Sequence, residues 1–340
     1  MSEGRPAARV LLLSLGGTIA MTADDGGAVT PALGAGELAA AVPGLADVAA
    51  VEPESFRTIP GAQLGFADLA ALAERIERAA GEGFDGVVVT QGTDTLEETS
   101  FVLDLLAPRL PVVFTGAMRN PTVAGPDGPA NLLGAASLAA SPAARGLGVT
   151  VLLGDEIHAA RHVRKGHTQS PAAFTSSAGP LGWISEGTAR VALRPPAPPP
   201  LELAAAGSAR VALLTAALDD DALLLDAAVA GADGIVIEAL GGGHLPPAWP
   251  ERIGAAVAGG TPVVFASRTG AGEVLARTYG FDGSETDLLA RGAISAGWLD
   301  GPKARLLLTL LLRAGADVER VRTSFAAYLG SVAAPGGPTR

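Results

Sequence analysis

Of the 24 Lys and Arg residues in this 340-residue sequence, only Lys165 and Lys303 are lysine. Lys165 lies in Ala160-Arg161-His162-Val163-Arg164-Lys165-Gly166-His167, between positions where the chain elsewhere uses Arg. An arginine does not release its proton, whereas a lysine can. Cations such as Arg161 and Arg164 close to it would favour the neutral amine. A neutral amine is a general base for a hydroxyl, and a hydroxyl nucleophile needs such a base. Two threonines stand in loops suited to that role. Thr18 follows Gly16-Gly17, which lets peptide N–H groups approach an oxyanion, although a lone Gly-Gly-Thr also reads as a tight turn or a phosphate loop. Thr93 sits beside Asp94 in Thr90-Gln91-Gly92-Thr93-Asp94-Thr95-Leu96-Glu97-Glu98. Asp94 has a structural alternative, binding N–H groups at a helix start. Thr95 and Glu98 have the spacing of a capping box, which accounts for them without chemistry.

The surrounding composition narrows the field. With no cysteine there is no disulfide, no thiolate catalysis and no Cys-ligated metal site. The formal net charge of −11 argues against nucleic acid or an anionic membrane as partner. His158, His162 and His167 cluster near Asp155 and Glu156, but Gly166 and the scattered polar pattern do not read as a helix. They are read as a solvated loop, and no metal site is assigned. No apolar run reaches the ~20 residues of a membrane span. Arg5 and Arg9 before Val10–Leu13 mimic a secretory leader, yet the run is short and has no small-residue cleavage pattern, so a cytoplasmic location is expected.

The elements that would position these residues repeat one grammar. Apolar strand candidates at 9–15, 86–90, 111–115 and 149–153 alternate with helices at 66–80, 96–106 and 129–140. After Arg194-Pro195-Pro196-Ala197-Pro198-Pro199-Pro200, which favours an extended spacer, strands are expected at 210–215, 234–239 and 262–266. Helices are expected there at 221–230, 247–258 and 302–314. The reading is a two-domain α/β protein: a larger domain at 1–193, a linker at 194–203 and a smaller domain at 204–340. Strands apolar along their whole length imply parallel sheets covered on both faces. Ligands of such sheets lie beyond the carboxyl ends of the strands, where Thr18 and Thr93 fall.

Several segments resemble the bacterial-type L-asparaginase family. They are Gly16–Ala20, Gly92–Thr99, Gly116-Ala117-Met118-Arg119, Asp127–Leu132, Lys165, Gly179–Gly182 and Pro302-Lys303-Ala304-Arg305, spread over nearly the whole chain in the family's order. The resemblance implies a mixed-sheet, flavodoxin-like N-terminal domain and a smaller Rossmann-like α/β domain. It implies hydrolysis of L-asparagine to L-aspartate and ammonia, without metal or cofactor, in a homodimer or homotetramer with sites between subunits. Carried over by motif, Thr18 would be the nucleophile that forms an acyl-enzyme. Thr93, Asp94 and Lys165 would form the second cluster. Substrate contacts would come from Gly17, Gly61, Ala62, Gln63, Gly92, Thr93, Asp94 and Ala117.

The sequence also departs from that family. Many members carry a tyrosine in the loop after the nucleophile, where this chain has Val29; its only tyrosines are Tyr279 and Tyr328. Ala62 stands near a common serine, and Gly241-Gly242-Gly243-His244 lacks the usual asparagine. Three other functions therefore stay open at this stage: a glutaminase-asparaginase, an asparagine- or aspartate-binding pseudoenzyme, and an amidotransferase subunit acting on charged tRNA. The acidic charge and the lack of an added N-terminal domain argue against the last.

Overall fold

In the computed structural model, residues 8–17, 19, 21–23, 29–31, 34–197, 199–201 and 207–332 are described. The chain divides into two compact units, Met1–Ala197 and Pro198–Arg340. In unit 1 the elements are β1 (Arg9–Ser14), β2 (Met21–Ala23), β3 (Val29–Pro31), α1 (Ala35–Ala40), α2 (Leu45–Val48), β4 (Ala50–Ser55), α3 (Phe66–Gly81), β5 (Gly86–Thr90), α4 (Leu96–Leu105), β6 (Val112–Thr115), α5 (Gly128–Ala140), β7 (Val149–Leu153), β8 (Glu156–Ala159), β9 (Val163–Lys165), β10 (Phe174–Ser176), β11 (Gly182–Ser185) and β12 (Thr188–Val191).

The main sheet has the order β12-β11-β8-β7-β6-β5-β1-β4. Strands β4, β1, β5, β6 and β7 run parallel, in the 2-1-3-4-5 arrangement of flavodoxin-like folds. Every residue of β5 and β7 is buried, which explains runs such as Gly86-Val87-Val88-Val89-Thr90. The sheet is mixed because β8, β11 and β12 extend it antiparallel. Strand–helix alternation does not announce these three short strands. Period two splits the sheet residues between two cores. Val10, Leu12, Val88 and Val113 share a cluster with Leu38 of α1, Leu45 of α2 and Leu132 of α5. Helices α3 and α4 pack together in the same unit, with α4 against β6 and β7. Helix α3 buries Leu69, Leu72, Ile76 and Ala79, a single helical stripe.

Two small antiparallel ribbons lie outside the main sheet. One pairs β9 with β10, Phe174 opposite Lys165. The other pairs β2 with β3, Thr22 opposite Thr30, in the segment that follows Thr18.

In unit 2 the elements are β13 (Val211–Thr215), α6 (Leu223–Gly231), β14 (Gly234–Ala239), α7 (Pro250–Ala258), β15 (Val263–Ser267), α8 (Glu285–Ala290), β16 (Ile294–Ser295), α9 (Gly301–Arg313) and α10 (Val318–Val332). Its sheet is fully parallel in the order β13-β14-β15-β16. Ile235, Ile237, Phe265 and Trp249 form its core cluster. Lys303 is buried in the first turn of α9, its ammonium 3.0 Å from the carboxylate of the helix cap Asp300. The strands and helices expected from the sequence pattern are all present, with ends moved by at most three residues.

Candidate active site

The carboxyl ends of β1, β5 and β6 bring three loops together. The first is Gly16-Gly17, with φ of +98° and +92°. A Cβ on Gly17 would sit 2.1 Å from the Gly92 nitrogen, so the loops after β1 and β5 touch backbone to backbone. Only glycine permits both that contact and that conformation. A Cβ on Gly116, after β6, would lie 2.6 Å from the Gln91 carbonyl oxygen. Gly61, in the 3-10 turn Gly61–Gln63, packs against the Gly92 carbonyl and accepts a 3.0 Å hydrogen bond from Thr95 Oγ1. Gly17, Gly61, Gly92 and Ala117 therefore gather at one place, with Ala62 and Gln63 exposed beside Gly61. This is the point where the strand order reverses, between β1 and β5. Thr18, the expected nucleophile, lies outside the described residues.

Thr93 is buried and Asp94 is exposed, just ahead of α4. Lys165 ends β9 and reaches both: its Nζ donates to Thr93 Oγ1 at 3.0 Å and to Asp94 Oδ1 at 2.9 Å. The Lys165 side chain is 17% exposed and that of Asp94 74%. The ion pair is thus screened on the acid's side, while the amine and the Thr93 hydroxyl are sheltered. An amine that loses a proton there presents its lone pair to the Thr93 hydroxyl, the arrangement of a base and the group it activates.

Three expectations are corrected. Thr95 caps α4 in position only: its hydroxyl bonds Gly61 and receives Gln91 Nε2, and no side-chain cap bond forms. The buried Gln91 amide, which also donates to Thr99 Oγ1, outcompetes the capping box. Second, Arg161 does not crowd Lys165. Its guanidinium is fully buried against Asp104 at 2.9 Å and donates to the Pro196 carbonyl. Arg164 precedes Lys165 on a strand and so projects to the opposite face. Third, the histidine segment is a solvated loop only around exposed His167. It forms β8 and β9, and His158 is buried with its Nδ1 2.9 Å from Ser176 Oγ. Glu156 lies 3.3 Å from its other ring nitrogen. Burial pushes the His158 pKa down to about 4. An imidazole that weakly basic is a poor activator of Ser176, so this serine–histidine–carboxylate row ties β10 to β8 instead of forming a second nucleophile. Among the described residues, no group of three or more His, Asp or Glu is placed to hold a metal.

The sequence reading missed the residues that hold the loops. The Asp127 carboxylate accepts the N–H groups of Met118 and Arg119. Buried Asn131 donates to the Gly116 carbonyl and to Asp127, and accepts the Gly154 N–H. Together they fix Gly116-Ala117 against the end of β7. Both lie in the segment Asp127–Leu132 that resembles the family, but the sequence assigned them no role.

Fold and site together define a two-unit α/β protein with a threonine–lysine–aspartate cluster at the switch point of a flavodoxin-like sheet. The family model "Asparaginase, N-terminal" matches residues 9–197, and "Glutaminase/Asparaginase C-terminal domain" matches 210–325. A "Probable L-asparaginase" of Deinococcus radiodurans is 41% identical over 322 residues, 93% of this chain and 97% of that protein. "L-asparaginase 2" of Bacillus subtilis is 35% identical over 340 residues, covering 96% and 88%. A crystal structure of a "Probable Cytoplasmic L-asparaginase" from Campylobacter jejuni superposes with a TM-score of 0.84 at 32% identity, covering 94% of this chain and all of that one. The chain belongs to the asparaginase family.

Proposed function

We propose that this protein hydrolyses L-asparagine to L-aspartate and ammonia through an acyl-enzyme on Thr18. The observation that carries the reading is the Lys165 amine held between Thr93 Oγ1 and Asp94 Oδ1 at the mouth of three converging loops. The Thr18 hydroxyl attacks the amide carbon, its proton leaves with the departing nitrogen as ammonia, and a threonyl ester remains. Water then attacks that ester, Thr93 and Lys165 take its proton, and a proton passes to the departing Thr18 oxygen as aspartate is released. Peptide N–H groups around Gly17 and Gly92 would stabilise the oxyanion, each donor lowering the barrier by roughly 3 kcal/mol. Asp94 takes the substrate's α-amino group, Gly61, Ala62 and Gln63 its carboxylate, and Ala117 its side-chain end.

The description of the C-terminal family model joins glutaminase to asparaginase, which supports a second reading of broader amide specificity. We also place the protein in the cytoplasm, as the name of the Campylobacter relative suggests, and read it as a homodimer or homotetramer. No helix of the described residues is long and apolar enough to cross a membrane. The test is ammonia release from L-asparagine, D-asparagine and L-glutamine, compared as kcat/KM. L-asparagine is expected to be the best substrate. Equal rates with L-glutamine support the broader reading, and tight aspartate binding by calorimetry without ammonia overturns the hydrolase.

A further inference from the structure

We propose that Glu97 is a positioning residue for Lys165, holding the peptide end of the lysine whose ammonium Thr93 and Asp94 hold; the catalytic part of this inference rests on the function proposed above. The carboxylate of Glu97, in the first turn of α4, accepts the backbone N–H of Lys165. Asp94, three residues earlier, accepts from Lys165 Nζ. One helix start therefore grips the same lysine at both ends.

The need for such a grip follows from the topology. Among the described residues strand β9 pairs with β10, and this ribbon forms no ladder with either main sheet. No ladder fixes the height of Lys165 relative to Thr93, so side chains must. Three side-chain ties along the stretch from β8 to β10 contribute. His158 holds Ser176, Asp104 holds Arg161, and Glu97 holds Lys165 itself. Glu97 and Asp104 are seven residues apart, close to two full turns, so one face of α4 meets the ribbon at both points. Of the three ties, only Glu97 acts on the residue that carries the amine. A carboxylate is the strongest acceptor for a peptide N–H, which favours Glu at this position. The competing role is a plain one: an acidic residue in a first turn stabilises a helix dipole. That role makes no difference to the reactivity of Lys165.

The scarcity of lysine supplies a readout independent of turnover. Lys303 is buried and paired with Asp300, so it serves as an internal control for trace acetylation read by mass spectrometry. In Glu97→Ala, kcat for L-asparagine is expected to fall at least ~10-fold with KM within ~3-fold, because a displacement of about 1 Å at a reacting group costs up to ~100-fold. Lys165 acetylation rises several-fold and Lys303 acetylation stays constant. Glu97→Gln keeps a carbonyl acceptor and recovers most of kcat. Should Glu97→Ala not fold, Glu97→Leu keeps the bulk and carries the same test. Unchanged Lys165 acetylation in a folded variant, or an equal rise at Lys303, overturns the proposal. If the wild type releases no ammonia while Lys165 acetylation still rises in the variant, the grip stands and the hydrolase reading falls.

Discussion

Lys165 shows how a residue type carries information when its alternative is abundant. The chain uses arginine nearly everywhere, so a lysine among arginines raised the expectation of a position that needs a releasable proton. The structure replaces the argument that supported this expectation. Arg161 is neutralised by Asp104 and Arg164 faces away, so the partners that matter are Thr93, Asp94 and Glu97. Gly17 was legible as a close-approach residue only alongside a tight turn or a phosphate loop, since consecutive glycines after a strand serve all three. Gln91 and Asn131 were not legible, since a buried amide is indistinguishable in sequence from a surface one until its partners are known. At this scale the close contact of Gly17 with Gly92 makes a definite prediction. Gly17→Ala would force a Cβ to 2.1 Å from the Gly92 nitrogen at a φ of +92°. Backbone strain and overpacking together are expected to cost about 3 kcal/mol or more, measured by denaturant unfolding, with loss of activity.

Helix α4 links the chemistry to the rest of unit 1. Its amino end supports Thr93 and Asp94, and its carboxyl end carries Asp104, whose burial raises its pKa against the opposing pull of Arg161. Asp104 also accepts the Val149 N–H at the start of β7. Asp104→Ala leaves a guanidinium buried without its anion. The expected loss is about 3–5 kcal/mol, checked by thermal or urea unfolding. Strand β8 adds a pH dependence. His158 titrates at about 4 when folded and near 6.5 when unfolded. The unfolded chain therefore binds more protons between these values, and stability must fall as pH drops from 6.5 towards 4. The full loss is about 3 kcal/mol. His158→Gln, which retains a partner for Ser176, is expected to flatten the unfolding curve over that window; an unchanged pH slope in the variant would contradict the assignment. Helices of α3 type were plain in the sequence because an apolar stripe at helical spacing has one physical meaning. The short strands β8 to β12 were not, since three or four residues with polar neighbours carry no period.

On the scale of the whole molecule, the two α/β units follow from repeated strand–helix alternation on either side of the proline-rich segment. The strand order does not, because order depends on which crossovers the chain takes and not on any one segment. That order places the first and third parallel strands side by side at the reversal point, where Gly17 and Gly92 meet. The tyrosines illustrate the same limit. Both lie in unit 2, Tyr328 buried against Trp298 and Tyr279 packed on His244, so within unit 1 no tyrosine is available to activate Thr18. Assembly is also a property of this scale. Sedimentation is expected to give a dimer or tetramer, and a monomer at assay concentration with full activity would contradict sites shared between subunits. The most direct test of the account remains the proton on Lys165. Lys165→Arg keeps a cation able to bond Thr93 and Asp94 but cannot act as a base at neutral pH. Measured as kcat for ammonia release from L-asparagine, this variant is predicted to lose at least ~100-fold, as Lys165→Met does, with its melting temperature retained. Wild-type turnover in a folded Lys165→Arg enzyme would contradict the role assigned to the lysine.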